Sequence, residues 1–204
     1  MSTHTETPTL PVTTRDQLAA AVLMLSFLDR TGLGPSADPE DVATALDQVA
    51  IACSPHRDVS VNPGKVLALT LADSLPLVWG GSVLAARAAR RVAESIRLAS
   101  GRGALAGDAE HLLPVIEATR QHTVFDDPVD GDGGTRPVLV VLDDGADDPV
   151  RHEQRSALTR AADERGVRVE VVAAEAAGDV ARYGELLLSG TYSAAYLRIG
   201  LVDD

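Results

Sequence analysis

The sequence has few of the features that mark secreted or membrane proteins. One cysteine, Cys53, among 204 residues excludes an internal disulfide framework and fits a reducing compartment. The most apolar run, residues 18–28, covers eleven residues, whereas a membrane-spanning helix needs about 20. The N-terminus also lacks the basic region of a signal peptide. These absences predict a cytoplasmic protein with no membrane partner.

Basic side chains are also scarce. The chain has 18 lysines and arginines against 30 acidic residues, a net charge of −12, and Lys65 is the only lysine. Such a balance disfavours nonspecific binding to nucleic acid or anionic membranes. The remaining composition, 45% hydrophobic and 24% charged, is that of a globular domain with a real core.

The most informative stretch is residues 75–97. The apolar run at 75–79 predicts a buried strand, and two glycines at 80–81 predict a turn. Apolar residues at positions 84, 88, 92 and 96 then recur every four residues, with arginines on the other face. This pattern predicts the first strand–helix unit of a layered α/β domain.

Strand and helix patterns alternate along the rest of the chain. Strands are predicted at 103–106, 138–142 and 167–172, and helices at 108–119 and 149–165, followed by two helices at 179–188 and 192–201. This alternation predicts an α/β three-layer sandwich with a parallel, flavodoxin-like sheet. An N-terminal helical segment precedes it, so we divide the chain into a mobile tail (1–14), a helical extension (15–73) and an α/β domain (74–204). The extension begins with a helix at 15–30 that is apolar on almost every side, and the domain or a partner chain must cover it.

Ligands of such sheets bind where strands end, which directs attention to the loops after the strands. Gly80, Gly81 and Ser82 follow the first strand, and glycines beside the free N–H groups of a helix start are compatible with holding a phosphate or a sugar. An ordinary tight turn has the same composition. The spacing is not that of a dinucleotide-binding fingerprint.

The loop after the strongest predicted strand, residues 143–148, contains four aspartates. A phosphate about 4 Å from one of them meets roughly 4 kcal/mol of repulsion per charge pair at an effective dielectric near 20, more than the roughly 0.3–2 kcal/mol that a helix end returns. We therefore expect no phosphate here without a cation. A solvated acidic loop is favoured over a magnesium site, and neither a metal nor another cofactor is predicted.

His111 is the candidate catalytic side chain. It lies in the first turn of a predicted helix, where the positive helix end favours a neutral imidazole able to act as a base or a hydrogen-bond donor. A structural histidine is the alternative. The other histidines show no metal-ligand spacing.

Two stretches together resemble a known family. VNPGK at 61–65 followed by LPLVWG at 75–80, and the closing LSGTYSAAYL at 188–197, are similar to the second sugar isomerase (SIS) domain of bifunctional phosphoglucose/phosphomannose isomerases. The resemblance covers about residues 40–204 and implies an SIS fold, a phosphorylated-sugar ligand and a homodimer. It also implies that the phosphate is held mostly by another SIS domain.

The chain departs from the family at its catalytic groups. The family places a glutamate at the end of the helix after the first strand, where this chain reads RLASG at 97–101. His111 alone carries over from a second motif, and a final-helix lysine has no counterpart. The resemblance therefore implies ancestry without proton transfer between C1 and C2 of a sugar.

Three functions remain open. The first is a catalytically degenerate, isomerase-like domain that binds or senses a phosphorylated sugar. The second is a dimerisation or interaction module that binds no sugar and works through the apolar helix at 18–28. The third is an active isomerase that uses His111 with a residue from a partner.

Overall fold

The computed structural model describes residues 17–34, 37–120 and 135–202. The helices are α1 (Gln17–Arg30), α2 (Pro39–Ala52), α3 (Pro63–Leu71), α4 (Val83–Ser100), α5 (Ala109–Glu117), α6 (Pro149–Arg165) and α7 (Asp179–Val202). The strands are β1 (Ser74–Gly80), β2 (Leu105–Ala106), β3 (Arg136–Asp143) and β4 (Arg168–Ala173). The predicted tail at 1–14 lies outside the described residues.

The four strands form one parallel sheet in the order β2-β1-β3-β4. Trp79 of β1 pairs in register with Val141 of β3, which places the two strongest predicted strands side by side. The predicted α/β class and parallel sheet are therefore confirmed, although β2 is only two residues long.

The side chains of the central strands divide the core into two halves, because successive residues of a strand point to opposite faces. On one face, β1 and β3 pack against α3, α4 and α7. On the other face, Leu77, Trp79, Leu139 and Val141 pack against α5 and α6. Helices thus cover both faces, as the sequence predicts. Leu67, Ala68 and Leu71 of α3 lie in the same core cluster as the sheet.

One prediction is wrong: the two closing helices form a single helix, α7. The Ser189-Gly190 pair reads locally as a break, but Gly190 is buried inside the helix. A Cβ at this position would lie 2.2 Å from Cγ2 of Val92 in α4. The glycine therefore allows two helices to approach closely and does not end either of them.

Side-chain caps begin two of the N-terminal helices. Asp38 accepts the N–H of Glu40 at the start of α2. The fully buried Asn62 accepts the N–H of Lys65 at the start of α3 and donates to the carbonyl of Ser54. Side-chain caps of this kind satisfy N–H groups that the helix itself leaves unpaired.

Helix α1 is covered on one side only. Val22 and Ser26 are buried against the rest of the chain, together with parts of Leu18 and Leu25. Leu23 and Met24 are each 55% exposed on the other side, and Phe27 is 44% exposed. The described residues thus meet only part of the expectation that this helix is widely covered.

Candidate functional site

The carboxyl edge of the sheet gathers the three loops that the sequence singles out. Because β1, β2 and β3 are parallel neighbours, the segments that follow them leave from the same edge. Gly80, Gly81 and Ser82 lead from β1 into α4, Gly107 and Asp108 lead from β2 into α5, and residues 144–148 lead from β3 into α6. His111 follows in the first turn of α5.

Both glycines of the first loop are explained by close packing. A Cβ on Gly80 would lie 2.3–2.7 Å from backbone atoms of Ala85 and Ala86, so the end of β1 passes directly under the start of α4. A Cβ on Gly81 would lie 2.9 Å from the Trp79 ring. These contacts require glycine at both positions whether or not a ligand binds there.

Ser82 is the cap of α4, and its hydroxyl group is fully engaged. Its Oγ accepts the N–H of Ala85 at 2.9 Å and donates to the carboxylate of Asp144. The serine is buried, with 9% of its surface exposed. A carboxylate of the chain itself therefore stands at the helix start, where a bound phosphate would otherwise stand.

Three arginines contact the acidic loop. Nη1 of Arg155 lies 2.5 Å from Oδ2 of Asp143, and Arg151 lies 3.6 Å from Asp148, which also caps α6. Arg182 of α7 donates to the backbone carbonyl of Asp144 at 3.1 Å. The loop that was predicted to be solvated is thus partly folded inward, and guanidinium groups partly neutralise its negative charge. It therefore repels a phosphate less than unpaired carboxylates would. The arginines already bind groups of the loop, so they are not available to bind the phosphate.

His111 stands open to solvent. Its side chain is 69% exposed, and Nδ1 lies 4.0 Å from Oε1 of Glu110. Ligand atoms of Asp108, Glu110 and His111 lie within 4.8 Å of one another, and all three residues are exposed. Asp108 occupies the cap position of α5 without a side-chain cap hydrogen bond. The imidazole is therefore accessible to a ligand, and no described residue fixes its orientation closely.

Comparison with known proteins identifies the family. The sequence profile described as "Bacterial phospho-glucose isomerase C-terminal SIS domain" matches residues 60–200. The chain belongs to this family. Its fold is similar to that of a solved glucose-6-phosphate isomerase-like protein from Thermus thermophilus, with a TM-score of 0.65 and 21% identity. The match covers 95% of this chain and 60% of that one, so the chain spans less than two thirds of the neighbour's length. No curated protein matches the chain.

The end of α4 is where the resemblance to this SIS family places a glutamate, and no carboxylate occupies that place. Arg97 donates to the carbonyl of Ala104 at 2.7 Å, and Gly101 ends the helix with φ of +67°. Glu94, one turn earlier, is half-exposed and pairs with Arg91 at 2.9 Å. This end of α4 lies at the opposite end of β2 from His111, since α4 precedes β2 and α5 follows it.

Lys65 stabilises a loop of this SIS domain. Its Nζ donates to the carbonyls of Pro55 and Arg57, each at 2.8 Å, and lies 5.5 Å from the centre of the Tyr196 ring. The ammonium group therefore holds the loop before α3, which accounts for the solitary lysine without an anionic ligand.

Sequence reasoning missed Glu185, a carboxylate buried inside α7 with 7% of its surface exposed. Its Oε2 accepts the N–H groups of Glu175 and Ala176, at 2.9 and 3.0 Å. The residue fixes the connection between β4 and α7. Only its position among apolar helix residues could have signalled burial.

Within the described ranges, none of the helices combines the length and the hydrophobicity that spanning a bilayer requires.

Proposed function

We propose that this SIS domain binds a phosphorylated sugar at the carboxyl edge of its sheet and has no isomerase activity by itself. The observation that carries the proposal lies at this edge, where Asp144 accepts the hydroxyl of Ser82 and Asp143 pairs with Arg155. These two carboxylates are already engaged and do not serve as the base that isomerisation needs. The glutamate that the family resemblance places at the end of α4 is also missing, and Arg97 there contacts the backbone. The family match supports the ligand class.

The sugar lies between the first loop and His111. Gly80, Gly81 and Ser82 form one wall, and the carboxylate of Asp144 beside Ser82 suits sugar hydroxyl groups as an acceptor. The same carboxylate repels a phosphate, so the phosphate points away from the start of α4. The exposed imidazole of His111 contacts the opposite side of the sugar.

Two measurements test this proposal together. A coupled assay follows conversion of fructose 6-phosphate to glucose 6-phosphate, and calorimetry measures binding of both compounds. We expect no turnover above the uncatalysed rate, and we expect binding that is stronger for the phosphorylated sugars than for free glucose. His111→Ala should weaken binding, whereas His152→Ala, which changes another exposed histidine on α6, should not.

Ligand binding should also raise the melting temperature. At a ligand concentration of 100 Kd the stabilisation is about 2.7 kcal/mol, which corresponds to roughly 5–10 °C for a domain of this size. Turnover that disappears in His111→Ala would instead support an active isomerase that uses this histidine. A flat response to every sugar phosphate would contradict sugar binding.

The exposed side of α1 supports a second candidate, a homodimerisation or interaction module that binds no sugar. Leu23, Met24 and Phe27 form an apolar face on a helix that makes few contacts with the other described residues. Light scattering should then report a dimer for the native chain and a monomer for Phe27→Glu. A native chain that is monomeric at 100 times the assay concentration would contradict this candidate.

We also infer a cytoplasmic location, supported by the free, buried thiol of Cys53. Cell fractionation followed by immunoblotting tests it. Recovery in the cell-envelope fraction would contradict the inference.

A further inference from the structure

A concave surface lies away from the three loops of the candidate site. It is a cleft of about 430 Å³ between α2, α3, β4 and α7. None of Gly80, Gly81, Ser82 or His111 lines it, and neither does the acidic loop at 143–148. Its size falls within the range of ligand-binding clefts, roughly 300–1,000 Å³.

The edge of β4 forms one wall of this cleft. Four consecutive residues, 170–173, line it. Successive side chains of a strand point to opposite faces, so a wall that includes all four is the strand's edge and not one of its faces. β4 pairs with β3 alone in the described part of the chain. Outward-facing N–H and C=O groups therefore border the cleft.

The sheet order leaves a strand position beside β4. Flavodoxin-like sheets run 2-1-3-4-5, and the described strands supply β2-β1-β3-β4. Proteins commonly protect such an edge with lysine, proline or a bulge. The second half of β4 is Val171-Val172-Ala173, which has none of these residues, and Val171 is 49% exposed.

The lining of the cleft is acidic and apolar. Glu170, Glu175 and Glu185 line it, whereas its lining contains no lysine, arginine or histidine. Glu170 is partly offset by Arg168, at 2.6 Å. Glu185 holds the N–H groups of Glu175 and Ala176, which fixes the wall in place before anything binds. Apolar contact is available from Val66, which is 38% exposed on α3.

We propose that the cleft binds an extended segment of a partner protein that carries alternating apolar and basic side chains and adds to β4 as a fifth strand. The main-chain groups of β4 hold the backbone of the segment, as in other strand-addition complexes. The glutamates select basic side chains, and Val66 and Val171 contact apolar ones. The acidic lining excludes a sugar phosphate, and the net charge of −12 disfavours a second copy of this chain as the occupant.

The test uses a dye-labelled peptide of eight residues in which valine and arginine alternate. Fluorescence anisotropy with the full chain should show saturable binding at micromolar concentration. Hydrogen exchange should slow at the amides of β4 when the peptide binds. The same peptide with every backbone nitrogen methylated has no main-chain N–H group to donate to the strand along either edge, and it should bind at least tenfold more weakly.

Two charge reversals separate the cleft from general attraction to an acidic protein. Glu175→Lys alters an exposed residue of the cleft, and Glu153→Lys makes the same change on α6, across the sheet. We expect the first to weaken binding roughly tenfold and the second less than twofold.

Five results would overturn the proposal. The first four are equal effects of the two charge reversals, equal binding of the methylated peptide, the absence of any slowing of hydrogen exchange in β4, and dimerisation of the chain that the peptide reverses. A fifth is binding that appears only after deletion of residues 1–16, since the chain's own segment would then occupy the edge.

Discussion

Replacing Gly190 with alanine tests the close contact between α4 and α7. The new Cβ would lie 2.2 Å from Cγ2 of Val92, 2.7 Å from Cγ1 and 3.0 Å from Cβ. A valine inside a helix is nearly confined to one rotamer, so its methyl groups cannot move aside. Overpacking of this kind costs about 1–3 kcal/mol, and alanine returns about 0.8–1 kcal/mol through its helix propensity. The short contacts place the cost in the upper part of that range, about 2–3 kcal/mol, so we expect Gly190→Ala to lower the free energy of unfolding by about 1–2 kcal/mol.

The assay is urea unfolding followed by circular dichroism, with a thermal scan beside it. The expected change in Tm is a decrease of roughly 2–8 °C for a domain of this size. Gly200→Ala is the matched control, because Gly200 lies in the same helix and an added Cβ there meets no atom within 4 Å among the described residues. It should leave the free energy of unfolding unchanged or raise it by up to about 1 kcal/mol.

A double variant assigns the cost to one contact. Val92→Ala removes the two methyl groups that the new Cβ would strike, so Gly190→Ala should cost less in that background. We expect a coupling energy of about 0.5–3 kcal/mol between the two changes. Equal costs in both backgrounds, or a Gly190→Ala protein as stable as the native chain, would refute the close approach of the helices.

Two further variants and one labelling experiment test other contacts. Gly80→Ala should lower the free energy of unfolding by about 3 kcal/mol in total, which is more than Gly190→Ala does, because its Cβ would meet the rigid backbone of Ala85. A Gly80→Ala protein with native stability in urea would contradict the packing of β1 under α4. Tyr196→Phe removes a hydrogen bond that the hydroxyl donates to the carbonyl of Cys53 at 2.5 Å, so unfolding should cost about 0.5–1.5 kcal/mol less. Tyr192→Phe is its control, since the described residues show no bond to that hydroxyl, and equal losses would argue against the bond. Burial raises the pKa of the Cys53 thiol. Because the folded pKa exceeds the unfolded one, the stability that depends on keeping this thiol protonated is fully present at neutral pH. It is lost as the pH rises through the folded pKa. Iodoacetamide at pH 8 should therefore label the unfolded chain much faster than the native one, and equal rates would contradict burial of the thiol.

Local patterns predicted the architecture because it follows from local physics. The i+4 spacing of apolar residues marked α4, and all of Ala88, Val92 and Ile96 are buried. The apolar run at 138–142 predicted β3 as a buried strand, since a strand without a polar face needs cover on both sides. Its position beside β1 came from the structure. The continuity of α7 did not follow, because the contact that keeps Gly190 helical comes from a residue 98 positions earlier in the chain.

The site was harder to predict than the fold. The sequence singled out Ser82 after the first strand and the four aspartates of a later loop, but the bond between Ser82 and Asp144 joins residues 62 positions apart. The pairing of Asp143 with Arg155 likewise depends on how α6 docks beside β3. Spacing along the chain contains no information on such pairs, so the repulsion argued from sequence treated the carboxylates as unpaired.

The most direct test of the proposed function is solvent exchange at the sugar carbons. Isomerisation moves a proton between C1 and C2, so an active domain incubated with fructose 6-phosphate or glucose 6-phosphate in D₂O incorporates deuterium there, even when net conversion is small. Proton NMR measures this incorporation. We predict that the sugar phosphate binds the chain and that its hydrogens at C1 and C2 exchange no faster than they do without the protein. Incorporation above that rate, lost in His111→Ala, would contradict the account.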